Sequence, residues 1–347
     1  MMLQVAEIAR RQATLWTDRI HTLPIVVLTP HSGCNCRCVM CDIWMANDRR
    51  EELSRDDLER HARDFQALGV RRVVLTGGEP LMHANLWGLC EVLRAIGIRL
   101  TLLSTGLLLR SHAVAVVRWC DEVIVSLDGG PALHDRIRRC RGAFAQLVDG
   151  VAALREVEPR FRVTGRCVVQ RANFDALSDI VDAARSVALD QISFLAVDVT
   201  SEAFNRPAGW SDARADDVAL GPTEARALVD EVERLIARQN TGLPPRFVAE
   251  SPDRLRALAG HFLAMNGLGE QPLRSCNAPW VSTVIEADGT VRPCFFHPPL
   301  GNLRDGSLSD ILNAERAVRF RKELDVARDE VCHTCVCTLH RSAWAEV

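Results

Sequence analysis

The sequence predicts an α/β chain: a parallel sheet wound with helices, open or curled into a partial barrel, followed by a small cysteine-bearing module. Three observations predict it. Short apolar, β-branched runs alternate with helical periodicity so that six strands fall between residues 23 and 197. Cysteines concentrate at residues 34–41 and 276–337. A hairpin signal, 281–286 and 290–293 turning through Asp288-Gly289, lies between the cysteines of the second group.

In chain order, residues 1–20 read as a charged amphipathic helix ahead of the main fold, and the apolar run 23–29 as a strand leading into His31-Ser32-Gly33 and a cysteine loop. Helices are expected at 55–68, 86–95, 111–119, 143–157 and 176–186, and strands at 72–75, 99–103, 122–126, 161–169 and 191–197. This alternation implies right-handed crossovers. Ligands of such sheets bind beyond the carboxyl ends of the strands, where every polar motif below falls. Residues 199–221 are polar, a charged helix follows at 223–238, and 241–245 and 267–272 read as connectors. The expected division is an N-terminal helix (1–21), a barrel (22–221), a helical connector (222–269) and an auxiliary module (270–347).

The 347 residues include 42 basic and 45 acidic ones, interspersed, for a formal charge of −3. Neither a nucleic-acid nor a membrane-surface partner is implied. The longest apolar runs, such as 24–28 and 107–109, fall far short of the ~18 residues of a spanning helix. The N-terminus lacks the apolar core of a secretion signal, so a cytoplasmic protein is expected. Thirteen cysteines, odd in number and unevenly clustered, fit metal binding in a reducing compartment better than a disulfide scaffold. Tyrosine is absent, which removes phenolic acid, base and radical relays.

Cys34, Cys38 and Cys41 form C-x3-C-x2-C directly after the first strand. Three thiolates offered by one loop to a four-iron cluster leave one iron open, as an open position distinguishes catalytic from structural zinc. A zinc site or a run of inert thiols is the alternative. Cys36 does not fit the three-ligand spacing and reads as a bystander. After the second strand comes Thr76-Gly77-Gly78-Glu79-Pro80, whose glycines permit close backbone approach and whose proline stiffens the exit. Near the C-terminus, Cys276-x12-Gly289-x4-Cys294 and Cys332-x2-Cys335-x-Cys337 can surround one metal centre; a zinc ribbon using His333 or His340 is the alternative. Cys90, Cys120, Cys140 and Cys167 read as buried hydrophobes. Cys140 stands in Arg138-Arg139-Cys140-Arg141, where cations are expected to lower a thiol pKa.

With the Gly-Gly-Glu-Pro turn one βα unit downstream, the cysteine loop resembles that of the radical S-adenosylmethionine superfamily, over about residues 22–200. The resemblance implies a partial (β/α)6 barrel, a [4Fe–4S] cluster with an open iron held by Cys34, Cys38 and Cys41, and S-adenosylmethionine as cofactor. It places Met40 on the adenine and Thr76, Gly77, Gly78, Glu79 and Pro80 around the methionyl amino group. Ser126-Leu127-Asp128-Gly129 with His134-Asp135 and Arg138 is similar to a stretch of the subgroup acting on peptides and sugars, making Ser126 and Asp128 site candidates. His134 and Asp135 read equally as a helix cap. Ser104-Thr105-Gly106 departs from the usual Thr-Asn-Gly; Ser104 stays a candidate, and the asparagine's polar contact is in question. Arg166, Gln170, Asn173 and Asp198 are expected to hold polar groups of S-adenosylmethionine or substrate, unless Arg166 and Asp198 form a structural ion pair.

The C-terminal pattern resembles the SPASM and Twitch extensions, which carry auxiliary [4Fe–4S] clusters. The resemblance favours a compact Twitch type with one auxiliary cluster on Cys276, Cys294, Cys332 and Cys335, and Cys337 as a spare or alternate ligand. It further implies reductive cleavage to a 5′-deoxyadenosyl radical, fed by an electron donor such as flavodoxin or ferredoxin. Only 33 residues precede Cys34, too few for a leader-peptide-binding domain. The expected substrate is therefore a small natural product, a sugar, aminocyclitol or nucleoside-like compound, undergoing dehydrogenation, epimerisation, dehydration or decarboxylation. Thiols of some radical epimerases donate a hydrogen atom, a role open to Cys140. A peptide maturase forming thioether or carbon–carbon links is the alternative, and a non-catalytic iron–sulfur or zinc sensor a third reading.

Overall fold

Six parallel strands follow one another side by side: β1 (Ile25–His31), β2 (Arg72–Gly77), β3 (Arg99–Ser104), β4 (Glu122–Ser126), β5 (Arg162–Val169) and β6 (Gln191–Ala196). The structure, a computed structural model, describes residues 2–342 and 344; residues 1, 343 and 345–347, at the ends of the first and last expected segments, lie outside it. Neighbouring strands pair in register, as in Val26↔Val73 and Leu28↔Leu75, so all six carboxyl ends share one side. Val26, Leu28, Val73 and Leu75 are fully buried under the outer helices. Those helices are α1 (Met2–Thr17), α2 (Arg55–Ala67), α3 (Leu86–Ala95), α4 (Leu109–Trp119), α5 (Pro131–Arg138), α6 (Ala143–Val157) and α7 (Leu177–Ser186).

Local chemistry sets the boundaries. Ser54 and Asp57 form a reciprocal capping box at the start of α2, worth about 1 kcal/mol. α5, absent from the sequence-based expectation, begins on Pro131 and stops where Arg139 turns left-handed at φ 48°. Its eight residues are too few to show a periodic apolar face.

Past β6 come α8 (Asp212–Asp216), α9 (Pro222–Thr241) and α10 (Pro252–Met265), the last two within residues 222–269. The chain then returns through α11 (Ala278–Val281) to β7 (Ser282–Ile285), β8 (Thr290–Arg292) and β9 (Gly301–Asn302). The expected hairpin is present, but it is not detached: β7 pairs parallel with β1, Ile25↔Ser282 through Leu28↔Ile285. One open nine-stranded sheet results, in the order β6-β5-β4-β3-β2-β1-β7-β8-β9. All four residues of β7, Ser282, Thr283, Val284 and Ile285, are buried, as in a strand covered on both faces. Gly289 carries φ 85° at the hairpin turn, where a Cβ would lie 2.7 Å from Asn302 Oδ1. α12 (Leu308–Asn313), α13 (Glu315–Glu323) and α14 (Glu330–Thr334) complete the described chain. No helix among the described residues is long and apolar enough to cross a membrane.

Candidate cluster-binding sites

β1 delivers the cysteine loop to the carboxyl end of the sheet, and distant segments fix its path. Asn47 holds Cys34 from both sides, accepting from Cys34 N at 2.8 Å and donating to Cys34 O at 2.9 Å. Trp44 Nε1 donates to Cys41 O at 3.0 Å. The end of α5 accepts from the loop, Arg37 N to Arg138 O at 3.2 Å and Val39 N to Ile137 O at 3.0 Å. The two glycines after β2 are required by proximity to this region: a Cβ on Gly78 would lie 1.9 Å from Gly33 O, and one on Gly77 would lie 2.1 Å from Thr29 Cγ2. Glu79 N donates to Gly33 O at 2.9 Å.

The thiols there suit a cationic metal centre. Burial pushes Cys34 and Cys41 up to about 12, so ionised sulfurs in this place need a positive partner such as iron. Cys38 is different. The Cys36 thiol bonded to it, and then Arg138, bring its pKa down to about 6. Arg138 Nη1 lies 3.5 Å from Cys38 Sγ, and its other nitrogen pairs at 2.5 Å with fully buried Asp128. Asp128 thus reaches the loop through Arg138. Cys36, expected to be a bystander, touches the ligand set as a donor.

Glu79 is fully buried and receives Leu81 N (3.1 Å), Ser104 Oγ (3.1 Å), Thr105 N (2.7 Å) and Thr105 Oγ1 (2.6 Å). The hydroxyls of Ser104 and Thr105 therefore occupy the Thr-Asn-Gly position with a Glu79 contact, and Thr105 also meets Asn35 Oδ1 at 3.0 Å. Ser104 serves Glu79. Pro80 opens a short 3-10 turn after it, and Thr76 is half-buried at the end of β2. Met40 is 8% exposed and joins the apolar core.

His134 and Asp135 hold structure: His134 Nδ1 accepts from Asp128 N at 3.2 Å, and Asp135 caps α6 by accepting from Gly142 N and Phe144 N at 2.6 and 2.9 Å. Burial, aided by Arg138, lowers the His134 pKa to about 4. Cys140 corrects an expectation. Its pKa is raised, by burial first and then by Asp135 and Cys38, so the flanking arginines do not activate it. Its thiol faces Cys36 beside the cysteine loop.

Asp198 pairs with Arg206 at 2.6 Å, not with Arg166. Arg166 Nε instead lies 3.4 Å from Ser193 Oγ, and Ser126 is half-buried at the end of the neighbouring strand. Asn173 donates to the backbone carbonyls of Asp128 and Val168. Gln170 is 1% exposed, and its Nε2 has no hydrogen-bond partner among the described residues. That buried donor is free for a bound polar group.

The polar segment after β6 is an ordered cover. Trp210 carries Arg206 and Arg214 over its ring, each 4.6 Å from the centroid, and its Nε1 donates to the Asp42 carboxylate beside Cys41. Asn205 Nδ2 donates to Asp42 O at 3.0 Å, and Arg214 Nη2 to Val39 O at 2.5 Å.

The second cysteine group gathers around one cavity against β1 and β7: Cys276, Cys294, Cys332, Cys335 and Cys337 all line it, with His297. Burial pushes Cys294 up to about 11 and Cys335 up to about 12, and it raises Cys332. This donor set again fits a cationic centre. Burial raises Cys337 as well, and Arg166 opposes it. His333 and His340 are exposed and outside the cavity. The histidine that belongs there is His297, unread in the sequence, with Nε2 3.4 Å from Cys332 Sγ and 3.6 Å from Asp329 Oδ1. Its only sequence signal was its place three residues after Cys294.

Comparisons with known proteins agree with this arrangement. The radical SAM superfamily model matches residues 28–184, and the SPASM iron–sulfur cluster-binding domain model matches residues 276–336. GTP 3′,8-cyclase 1 of Pseudomonas aeruginosa is 32% identical over 223 residues, 62% of this chain and 64% of the cyclase. GTP 3′,8-cyclase of Xanthomonas axonopodis is 39% identical over 164 residues, 43% of this chain and 48% of its own. The matched region thus spans about half to two thirds of these cyclases. AdoMet-dependent heme synthase of Methanosarcina barkeri is 26% identical over 304 residues, 85% of this chain and 82% of the synthase. Among solved structures, Streptococcus suis SuiB bound to S-adenosylmethionine aligns with a TM-score of 0.65 at 15% identity, covering 94% of this chain and 75% of SuiB. Native anSMEcpe with bound AdoMet gives 0.65 at 18% identity, covering 90% and 87%. At these identities the likeness is one of fold.

Proposed function

The chain belongs to the radical S-adenosylmethionine superfamily and carries a C-terminal SPASM iron–sulfur region, and from that premise we propose that it abstracts hydrogen from a small natural-product molecule. The bound [4Fe–4S] cluster and S-adenosylmethionine supply one-electron reductive cleavage and hydrogen-atom abstraction. This chain's residues hold and orient them. Cys34, Cys38 and Cys41 bind the first cluster; Asn47, Trp44 and Arg138 fix the loop that presents them. The Gly77-Gly78-Glu79 turn, braced by Ser104 and Thr105, and the buried amide of Gln170 receive the polar end of S-adenosylmethionine. Cys276, Cys294, Cys332 and Cys335 bind an auxiliary cluster of the Twitch type, with Cys337 as alternate ligand.

The observation that carries the small-molecule reading is the cover over the cysteine loop. It is pinned by the buried Arg206–Asp198 pair and the Arg206–Trp210–Arg214 stack, and we take this fixed wall to favour a compact substrate. The named activities of the curated relatives, a GTP cyclase and a heme synthase, also concern small molecules. Sugars, aminocyclitols and nucleoside-like compounds are the proposed class, with dehydrogenation, epimerisation, dehydration or decarboxylation as outcome. The test measures 5′-deoxyadenosine from the reduced, reconstituted protein. A small-molecule extract of the producing cells should raise its yield and, if deuterated, should label it. Stimulation by a precursor peptide alone would replace this reading with a peptide maturase.

A further inference from the structure

Leu273 and Arg274 enter the C-terminal module in opposite directions. Leu273 is 99% exposed, whereas the half-buried Arg274 turns inward and lines the cavity that gathers the five thiols. Two uncharged acceptors hold it there. Its Nη2 donates to His261 Nδ1 of α10 at 2.8 Å, and its Nε donates to the carbonyl of His333, inside the Cys332-x2-Cys335 turn, at 3.4 Å. A guanidinium stays charged and can only donate, so His261 accepts as a neutral imidazole. Burial first, and then Arg274 itself, bring the His261 pKa down to about 4 and keep the ring in that form.

Neither partner neutralises the guanidinium. No carboxylate pairs with Arg274 among the described residues, and Asp198, the acid that acts on His261, is already taken by Arg206. Exposed arginines such as Arg110 and Arg136 need no acid because water screens them. Arg274 is partly withdrawn from water, and a charge in that position is normally held by a counter-charge. Burial works against its positive form, and the group that works for it is the Cys335 thiolate. The guanidinium thus sits on the wall of the thiol cavity with a candidate cluster ligand as its anion.

Four thiolates around a [4Fe–4S] core leave a net negative charge that grows on reduction, and net charge is one of the quantities that sets a cluster's potential. A fixed cation against one ligand favours the more negative, reduced state, the more so where water is excluded. We propose that Arg274, oriented by His261 and the His333 carbonyl, is the counter-cation of the auxiliary cluster and raises its reduction potential. This rests on the reading of Cys276, Cys294, Cys332 and Cys335 as cluster ligands. One electron enters the cluster on reduction, and Arg274 makes or breaks no bond.

The reconstituted full chain is compared with R274Q and R274K by iron content and by EPR-monitored redox titration. Added S-adenosylmethionine identifies the signal of the N-terminal cluster, so each midpoint is read separately. In R274Q the auxiliary cluster should be about tenfold harder to reduce, a downward shift of about 59 mV for one electron, while the N-terminal midpoint stays put. R274K keeps the charge and should remain near the parental midpoint. An unchanged auxiliary midpoint in R274Q overturns the proposal, as does an equal fall in R274K, which would assign the effect to lost hydrogen bonds rather than to charge. If R274Q loses auxiliary iron, R274K that keeps its iron at the parental midpoint supports the proposal, and loss from both variants overturns it. A parent chain that assembles no auxiliary cluster would overturn the ligand reading itself.

Discussion

Glu79 shows at the scale of one residue how the family turn works in this chain. Its carboxylate lies in full burial among four donor groups, and burial pushes its pKa up while those hydrogen bonds pull it down. Because the folded pKa is raised, the native state binds the proton more tightly than the unfolded state. This contribution to stability is present below the ordinary glutamate value and is lost as pH rises through the folded pKa. Glu79→Gln should remove that slope in thermal melts taken across this acid range, and cost about 1–3 kcal/mol near neutrality by misplacing an NH2 group against donors; an unchanged slope would show that Glu79 does not titrate as described. His297 is a second residue whose role the sequence hid, since its partner Cys332 is far along the chain. With Cys332 held as a cluster thiolate, an Nε2–H on His297 would donate toward it, and such a bond stabilises the more negative, reduced cluster. His297→Ala should lower the auxiliary cluster's midpoint potential in EPR-monitored titration while leaving iron content intact. A potential that stays put would remove His297 from that role. Cys34, Cys38 and Cys41 were legible as a group because they lie within eight residues of one another; Asn47 and His297 were not, because their contacts are made only by folding.

At the scale of elements, the parallel strands and most helices were legible because apolar period and β-branched runs mark each one independently of the rest. α5 escaped because it is short and its work is done by its end, where Arg138 and Ile137 carbonyls receive the cysteine loop. The segment after β6 read as a polar connector since its order comes from ion pairing and cation–ring stacking with residues such as Asp42, about 160 positions earlier. Arg206 is its keystone: nearly inaccessible, paired with Asp198 and stacked on Phe204 and Trp210. Arg206→Ala leaves Asp198 buried without its partner and should cost about 3–5 kcal/mol, visible as a lowered Tm and as new proteolytic cuts between residues 199 and 217. A variant as stable and as protease-resistant as the parent would mean that the cover is held by other contacts.

For the whole molecule, the nine-stranded sheet ties the two cysteine groups together, since β7 extends the barrel on β1 while Cys276 and Cys294 flank the β7–β8 hairpin. Phe204 of the cover lies 6.0 and 6.1 Å from Phe295 and Phe296 of the second group, so the cover also meets the auxiliary cavity. The hairpin was visible in the sequence, whereas its attachment to β1 was not, because strand pairing across more than 250 residues leaves no local mark. The same long-range assembly explains why five C-terminal thiols were legible as a group although the choice among them was not. The most direct measurement of the central claim combines iron content with 5′-deoxyadenosine formation in the reconstituted protein and in its Cys34→Ala/Cys38→Ala/Cys41→Ala variant. The parent should hold about eight irons per chain for two [4Fe–4S] clusters and cleave S-adenosylmethionine; the variant should retain about four irons and form no 5′-deoxyadenosine. Cleavage that survives in the triple variant would contradict the account.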